Sequence, residues 1–165
     1  MANLIYQNEE SAITWLASGG SAVLTFTSLG AGAGRQGALY DFGVAARAAD
    51  FYWRAWVVFA TTPVVGEVIR IYWKTSDGTN PDNDDGTGDA AVSAEDKLRN
   101  LKYIGEIVVD EASATPAFVA SGYLPKAIAA ARYGAPVFWN ATADALSATA
   151  GDHGFSITPV PDEVQ

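Results

Sequence analysis

Few side chains in this sequence could do acid–base or nucleophilic chemistry. Cysteine is absent and His153 is the only histidine, whereas a structural zinc site needs about four Cys or His ligands. His153 lies in Gly151-Asp-His-Gly154, which is typical of a turn, and no nucleophile-elbow pattern accompanies it. We therefore predict no catalytic residue and no metal ligand, and we expect a protein that is not an enzyme.

Carboxylates and aromatic rings leave two other kinds of site to consider. Paired acids could hydrolyse a glycosidic bond, but Glu67 and Glu106 are the chief acids on predicted strands, where a glutamate is usually only solvated. The five Trp and seven Tyr residues could form a sugar-binding platform, because flat aromatic faces stack on sugar rings. Exposed aromatic side chains in a groove would favour a carbohydrate-binding module.

A glycine motif suggests a nucleotide cofactor. Gly32-x-Gly34-x-x-Gly37 follows a predicted strand and has the spacing of a dinucleotide-binding turn. That turn requires a helix opening at its third glycine, whereas the sequence that follows, Ala38-Leu-Tyr-Asp-Phe-Gly43, is typical of another strand. We interpret the motif as a flexible loop whose glycines accept positive φ angles, and we predict no cofactor.

A long acidic segment at residues 75–92 is rich in potential calcium ligands. The register of an EF-hand fails, because counting from Asn80 puts Asp85 at the position of the required glycine and Ala91 at that of the bidentate glutamate. We predict a solvated, mobile loop, and calcium binding in another geometry remains open.

The elements that would position any site are strands. Residues 51–60 and 67–74 are rich in aromatic and β-branched residues, and the connector containing Pro63 and Gly66 predicts an antiparallel strand pair. The first run is apolar on both faces except for Arg54, so we expect a central strand. In the second run two sets of residues alternate, Ile69, Ile71 and Trp73 on the predicted core face and Val68, Arg70, Tyr72 and Lys74 on the wetter face.

Short strands are predicted along most of the remaining chain. They cover residues 21–29, 101–109, 118–124, 136–139 and 154–158, with a helical turn at 93–100 capped by Ser93. Residues 126–133 fit a helix and an edge strand about equally. Even spacing and connections rich in Gly, Pro and Asp predict an all-β antiparallel sandwich of jelly-roll or Greek-key type.

Length and charge restrict the organisation and the partners. A chain of 165 residues fits one domain, which we divide into an N-terminal arm at 1–20 and a sandwich domain at 21–165. The formal net charge of −9 argues against binding a phosphate backbone. We identify no signal peptide and no apolar run near the ~20 residues of a membrane-spanning helix, so we expect neither nucleic acid nor membrane as a partner.

The C-terminal sequence, residues 132–165, resembles part of a known group of proteins. Arg132-Tyr-Gly-Ala-Pro-Val-Phe-Trp-Asn-Ala-Thr-Ala-Asp-Ala-Leu-Ser-Ala-Thr-Ala-Gly-Asp-His-Gly-Phe-Ser-Ile-Thr-Pro-Val-Pro-Asp-Glu-Val-Gln165 resembles the C-terminal end of small β-sandwich virion proteins of tailed bacteriophages, and the Ser76-Asp-Gly78 turn is compatible with that group. The resemblance implies a capsid decoration (cement) protein, or a head-fibre or tail component. It further implies a location on the capsid surface after synthesis in the host cytoplasm, a homo-oligomer, and the major capsid protein or another shell protein as partner.

The N-terminal arm holds the residues that we predict to bind this partner. An arm outside the sheet has no other evident reason to carry apolar residues; the alternative is that it covers its own domain. The predicted partner-binding residues are Leu4, Ile5, Tyr6, Trp15 and Leu16.

Overall fold

A computed structural model describes residues 5–7, 10–44, 48, 50–124 and 130–164 of this protein. Segments with alternating apolar residues form its strands. For residues 5–7 and 162–164 the backbone alone is described. Two 3-10 helices, Glu95–Asn100 and Ala150–Asp152, accompany the strands. The strands are β1 (Ile5–Gln7), β2 (Ile13–Leu16), β3 (Ala22–Val23), β4 (Ala33–Gln36), β5 (Tyr40–Asp41), β6 (Asp50–Val57), β7 (Val68–Ser76), β8 (Ala90–Val92), β9 (Lys102–Val108), β10 (Phe118–Tyr123), β11 (Tyr133–Asn140), β12 (Gly154–Val160) and β13 (Asp162–Val164).

Two sheets contain most of these strands. The five-stranded sheet has the order β10-β6-β12-β2-β3, and the six-stranded sheet has the order β8-β4-β11-β7-β9 with β5 beside β11. Every described pairing is antiparallel except that of β2 with β3, and β1 pairs with β13 in a separate ribbon. The predicted all-β, mainly antiparallel class is therefore confirmed.

The core lies between the inner faces of the two sheets. The period of two turns Trp53 and Phe155 inward from the five-stranded sheet and Ile71 and Trp73 inward from the six-stranded sheet. Trp15 lies among them, with ring centroids 5.6 Å from Trp73 and 5.8 Å from Phe155 in edge-to-face geometry. Such contacts are favourable beyond the area they bury.

The strand pair predicted at 51–60 and 67–74 is wrong in its pairing. Both strands exist, but β6 lies between β10 and β12 in one sheet, whereas β7 lies between β11 and β9 in the other. Each strand has one strongly apolar face. The connector between the strands passes from one sheet to the other, so the two apolar faces pack against the same core from opposite sides. The central position of the first strand and the burial of Trp73, which is 1% exposed, are confirmed.

A bulge explains why the side chains of β9 do not alternate regularly between the inner and outer faces of the sheet. The register of β7 against β9 shifts between Ile71 and Tyr72, so that Ile71 faces Gly105 and Tyr72 faces Tyr103. Tyr103 consequently lies on the outside, 52% exposed, in edge-to-face contact with Tyr72. An extra residue in one strand reverses the faces beyond it.

Other predicted elements are confirmed in part. Leu24 and Phe26 are buried as expected, but of residues 21–29 only Ala22–Val23 has strand geometry. The helical turn is the 3-10 helix Glu95–Asn100, which begins after Ala94 without a side-chain cap, so the cap predicted at Ser93 is wrong. Half of the segment 126–133, residues 126–129, lies outside the described residues, and Tyr133 begins β11.

A second apolar layer covers the outer face of the six-stranded sheet. Residues 77–101 fold over this face, where Leu98 and Leu101 pack against Val137 and Trp139. No corresponding layer is described over the five-stranded sheet, whose outward side chains on β6 and β10 are partly or largely exposed. The two outer faces of the sandwich therefore differ in their access to a partner.

Candidate functional site

The predicted partner-binding residues do not form one surface. Trp15 is fully buried in the core, and its indole Nε1 donates a hydrogen bond of 2.8 Å to the Ala38 carbonyl. Because β2 lies between β12 and β3, this burial corrects the expectation that Trp15 lies outside the sheet. Leu16 is partly buried on the outward side of the same strand.

The other three predicted residues are described less fully. Leu4 lies outside the described residues, and the backbone of Ile5 and Tyr6 pairs with Val164 and Glu163 in the β1–β13 ribbon. An extended arm over residues 1–20 is therefore not confirmed, and a role of these residues in partner binding stays a prediction.

His153 is a structural histidine in this fold. It is 2% exposed, its Nδ1 accepts a hydrogen bond of 3.3 Å from the Val58 amide, and its Nε2 lies 2.9 Å from the Ser147 carbonyl. Burial lowers the pKa of the ring, which fits a neutral imidazole that donates through Nε2. With both ring nitrogens engaged by the backbone, His153 has no free nitrogen for acid–base chemistry.

Strand β4 (Ala33–Gln36) lies within the glycine motif, so the flexible loop that we predicted over the whole motif is wrong. A Cβ at Gly34 would lie 2.7 Å from the Trp139 ring, and one at Gly37 would lie 2.8 Å from the Trp15 ring. Only Gly32, with φ of 64°, has the positive φ angle that we predicted. Two of the three glycines therefore provide space for tryptophan rings, and no helix follows within the described residues 38–44 to receive a pyrophosphate.

The acidic segment is anchored to the sheet through a buried glutamine, which the sequence did not predict. All but two of its residues are at least partly exposed, as expected for a solvated loop, and its mobility stays a prediction. Gln36 is fully buried, and its side-chain NH2 lies 2.8 Å from the Asp85 carbonyl, 3.1 Å from that of Gly86 and 3.0 Å from that of Gly88. Its Oε1 accepts a hydrogen bond of 2.9 Å from Asn83. The loop has few apolar residues, and these hydrogen bonds fix its position on the sheet instead.

Lys74 lies beneath the same loop and is fully buried, although alternation predicts a wetter face. Its Nζ donates a hydrogen bond of 3.1 Å to the Gly86 carbonyl. Burial lowers the pKa of Lys74 to about 8, and the negative charges of Asp85 and Asp89 oppose this shift. The ammonium group thus occupies the place where the loop concentrates carbonyl oxygens.

Replacing Gln36 with leucine should loosen the acidic loop. The substitution keeps the volume but leaves the Asp85 and Gly88 carbonyls without the donor that the sheet supplies, so we expect a loss of about 2 kcal/mol in the free energy of unfolding. Urea denaturation measures this loss, and limited proteolysis should show new cleavage between residues 77 and 89. Thr87→Val, an exposed change in the same loop, is the control. Equal stability and equal protection of both variants would contradict the anchoring role.

Three carboxylates of the loop are engaged within the protein. Asp82 accepts hydrogen bonds from the amide and hydroxyl of Thr75, Asp77 caps the turn at Asn80, and Asp89 pairs with Arg35. Among the described residues, no group of three or more His, Asp or Glu side chains could hold a metal ion.

The outer face of the five-stranded sheet carries an ordered grid of side chains, which we call the aromatic face. On β6, Tyr52, Arg54 and Trp56 point outward, because the residues between them are buried. The register makes three cross-strand rows over β10, β6 and β12. They are Val119–Trp56–Gly154, Ser121–Arg54–Ser156 and Tyr123–Tyr52–Thr158.

Gly154 shapes the first of these rows. A Cβ at this position would overlap the Trp56 ring and would lie 2.7 Å from Leu16 Cδ2. The missing side chain therefore lets the indole lie across β12 toward Leu16. In the third row, Tyr52 and Tyr123 meet edge to face at 5.6 Å, and Tyr123 is 68% exposed.

A second surface, which we call the edge groove, lies where β9 and β10 form the edges of their sheets. It has a volume of about 460 Å³ and is lined by Val108, Asp110, Glu111 and residues 116–119. Val108 and Val119 are 48% and 49% exposed. The groove thus combines exposed aliphatic side chains with two carboxylates at one end of the edge.

Two comparisons with known proteins gave no match. A scan against protein-family models matched none, and a search of the curated proteins found no similar chain. Among the helices that the structure describes, none is long and apolar enough to cross a membrane.

Sequence reasoning missed both surfaces, although part of the signal was present. The alternation of β6 assigns Tyr52, Arg54 and Trp56 to one face, and the sole charge in that run marks this face as the wet one. The facing residues on β10 and β12 come from distant parts of the chain, so no local pattern could show the rows.

Proposed function

We propose that this chain is a non-enzymatic structural virion protein that decorates or cements a bacteriophage capsid. In this proposal its partner is the major capsid protein or another shell protein, and it acts as a homo-oligomer on the capsid surface. We further propose that the sandwich is a jelly roll.

The strand orders support the jelly-roll assignment. One sheet contains the order β2-β12-β6-β10 and the other the order β4-β11-β7-β9. Along the chain these eight strands alternate between the sheets, with the exception of β7 and β9, as two interlocked Greek keys require. Viral capsid proteins and lectins use this architecture, although a fold alone does not determine a function.

The edge groove is the observation that carries the proposed function. Its exposed valines lie on an otherwise strongly acidic molecule, and exposed apolar surface rimmed by polar residues is typical of protein–protein contacts. On a symmetric shell, many copies of a modest contact of this kind give strong retention.

A matched pair of valines tests the proposal. Val108→Asp, on the edge strand β9, should reduce retention on particles by at least about tenfold, because it places a charge against an apolar contact. Val23→Asp is the control, because Val23 lies on the edge strand β3 at the other end of the sandwich and is similarly exposed at 45%. The measurement is co-sedimentation of each variant with particles stripped of this protein.

Two outcomes bear on different parts of the proposal. No binding of the wild-type protein to stripped particles would contradict the virion function itself, whereas equal retention of both variants would remove the edge groove as the contact. The N-terminal segment is tested separately by deleting residues 1–9, since a longer deletion would remove β2 from the five-stranded sheet.

The aromatic face favours a second candidate function. Partly buried and exposed aromatic residues on an uncovered sheet face are compatible with a carbohydrate-binding or host-attachment module, such as a head-fibre or tail component. Binding to polysaccharides of the host surface would distinguish this candidate from a purely structural protein.

A further inference from the structure

Arg54 differs from the other arginines that the structure describes. It is exposed at the centre of the aromatic face and makes no hydrogen bond or ion pair with any described residue. In contrast, the other described arginines each pair with a carboxylate, namely Arg35 with Asp89, Arg70 with Glu95, Arg99 with Asp96 and Arg132 with Asp41. An unpaired guanidinium on a molecule of net charge −9 is therefore a local positive site with unused donors.

The neighbours of Arg54 define what this site could accept. Serine hydroxyls lie opposite it on both sides, Ser121 on β10 and Ser156 on β12, and these are small groups that can donate to or accept from a ligand hydroxyl. The planar guanidinium matches a carboxylate through two parallel hydrogen bonds. The middle row of the grid is thus suited to a ligand that carries both a carboxylate and hydroxyl groups.

The two outer rows add flat apolar surface on either side. Trp56 and Tyr52 lie four residues apart on β6, a separation of about 13 Å at the usual rise of a strand. A sugar ring presents an apolar face of C–H groups, which stacks on aromatic rings. One ring on each side of a central cation fits a chain of sugar units better than a single small anion.

We propose that the aromatic face binds an acidic carbohydrate, with Arg54 on a sugar carboxylate, Trp56 and Tyr52 against neighbouring sugar rings, and Ser121 and Ser156 on hydroxyl groups. The charge complementarity of Arg54 selects a carboxylated sugar over a neutral one. One isolated cation does not suit a nucleic-acid backbone, which needs clustered Lys and Arg. This inference deepens the second candidate function. The aromatic face and the edge groove share Val119, but none of the residues proposed to contact the carbohydrate lines the edge groove.

The binding test uses a galacturonate hexamer as probe and its fully methyl-esterified form as the matched neutral ligand. Trp56 is the one tryptophan of the five that is not buried, so a change in tryptophan fluorescence on binding reports on the aromatic face. Isothermal titration calorimetry gives the affinities, and a sialylated oligosaccharide serves as a second carboxylated probe to separate uronic from sialic acids.

Three variants assign the contribution of each row. Arg54→Gln should weaken binding of the acidic hexamer by about tenfold or more and leave the esterified form unchanged, because it removes a charge-assisted hydrogen bond. Trp56→Ala should weaken the binding of both the acidic and the esterified hexamer. Arg99→Gln, an exposed arginine outside this face, should bind as the wild type does. Thermal melts of each variant confirm that it is folded.

Several results would overturn the inference. They are equal affinity for the acidic and esterified hexamers, unchanged binding by Arg54→Gln, the absence of binding to both carboxylated probes, and equal competition by poly-glutamate. The last result would identify an acidic peptide site. Retention on stripped particles is measured with other variants and other ligands, so either function can fail without affecting the test of the other.

Discussion

Replacing Trp73 with alanine should cost about 3–5 kcal/mol in the free energy of unfolding, the largest effect that we expect from one substitution. Trp73 is 1% exposed at the centre of the sandwich and lies in edge-to-face contact with Trp15. Its ring also fills the space over Gly134, where a Cβ would lie 2.6 Å from Trp73 Cζ2. The alanine variant would therefore lose aromatic contacts and leave a cavity that the rigid sheets close only in part.

Trp56 supplies a control of the same residue type. Trp56→Ala removes an indole that is only partly buried on the aromatic face, so we expect a smaller loss of about 1–2 kcal/mol. Denaturant unfolding of both variants gives the comparison. Losses of the same size would mean that the inner and outer faces of the two sheets are assigned incorrectly.

Alternation predicted which residues of a strand face the core. The predictions for Trp73, for the central strand β6 and for a strand at 136–139 are confirmed, because the period of two is a property of each strand alone. The partner of a strand is not such a property. β6 and β7 are neighbours in sequence and lie in different sheets, and the connector between them contains no signal that selects a crossing over a hairpin.

The position of the N-terminal segment in the sheet was likewise not predictable from its own residues. Ile13 and Trp15 alternate with Thr14, but a strand of four residues is too short to distinguish from an extended arm by periodicity. Its place between β12 and β3 depends on residues more than a hundred positions away. The functional surfaces are harder still, because the rows of the aromatic face join strands β6, β10 and β12.

Long-range packing also explains the glycines and the acidic loop. The spacing of Gly34 and Gly37 resembles a nucleotide-binding turn, whereas their actual constraint is the proximity of Trp139 and Trp15. The loop was predicted to be mobile because its own residues include few apolar side chains. Its anchor is Gln36, a residue far upstream in the sequence.

Because of Lys74, the free energy of unfolding should depend on pH in the alkaline range. Its folded-state pKa is lowered to about 8 from an ordinary value of 10.5, chiefly by burial. Below pH 8 the group is protonated in both states, and between about pH 8 and 10.5 the unfolded chain holds a proton that the folded protein has released. Stability therefore rises with pH across this window, by up to about 3 kcal/mol from this group.

Lys74→Met isolates this contribution from other groups that titrate at alkaline pH. Methionine keeps an apolar stem of similar length, and the Gly86 carbonyl retains its hydrogen bond from Gln36. Denaturant unfolding of both proteins at intervals from pH 7 to 11 should show that wild type gains stability relative to the variant as the pH rises. A constant difference between the two curves would mean that Lys74 titrates at its ordinary pKa, and hence that the acidic loop does not exclude water from its ammonium group.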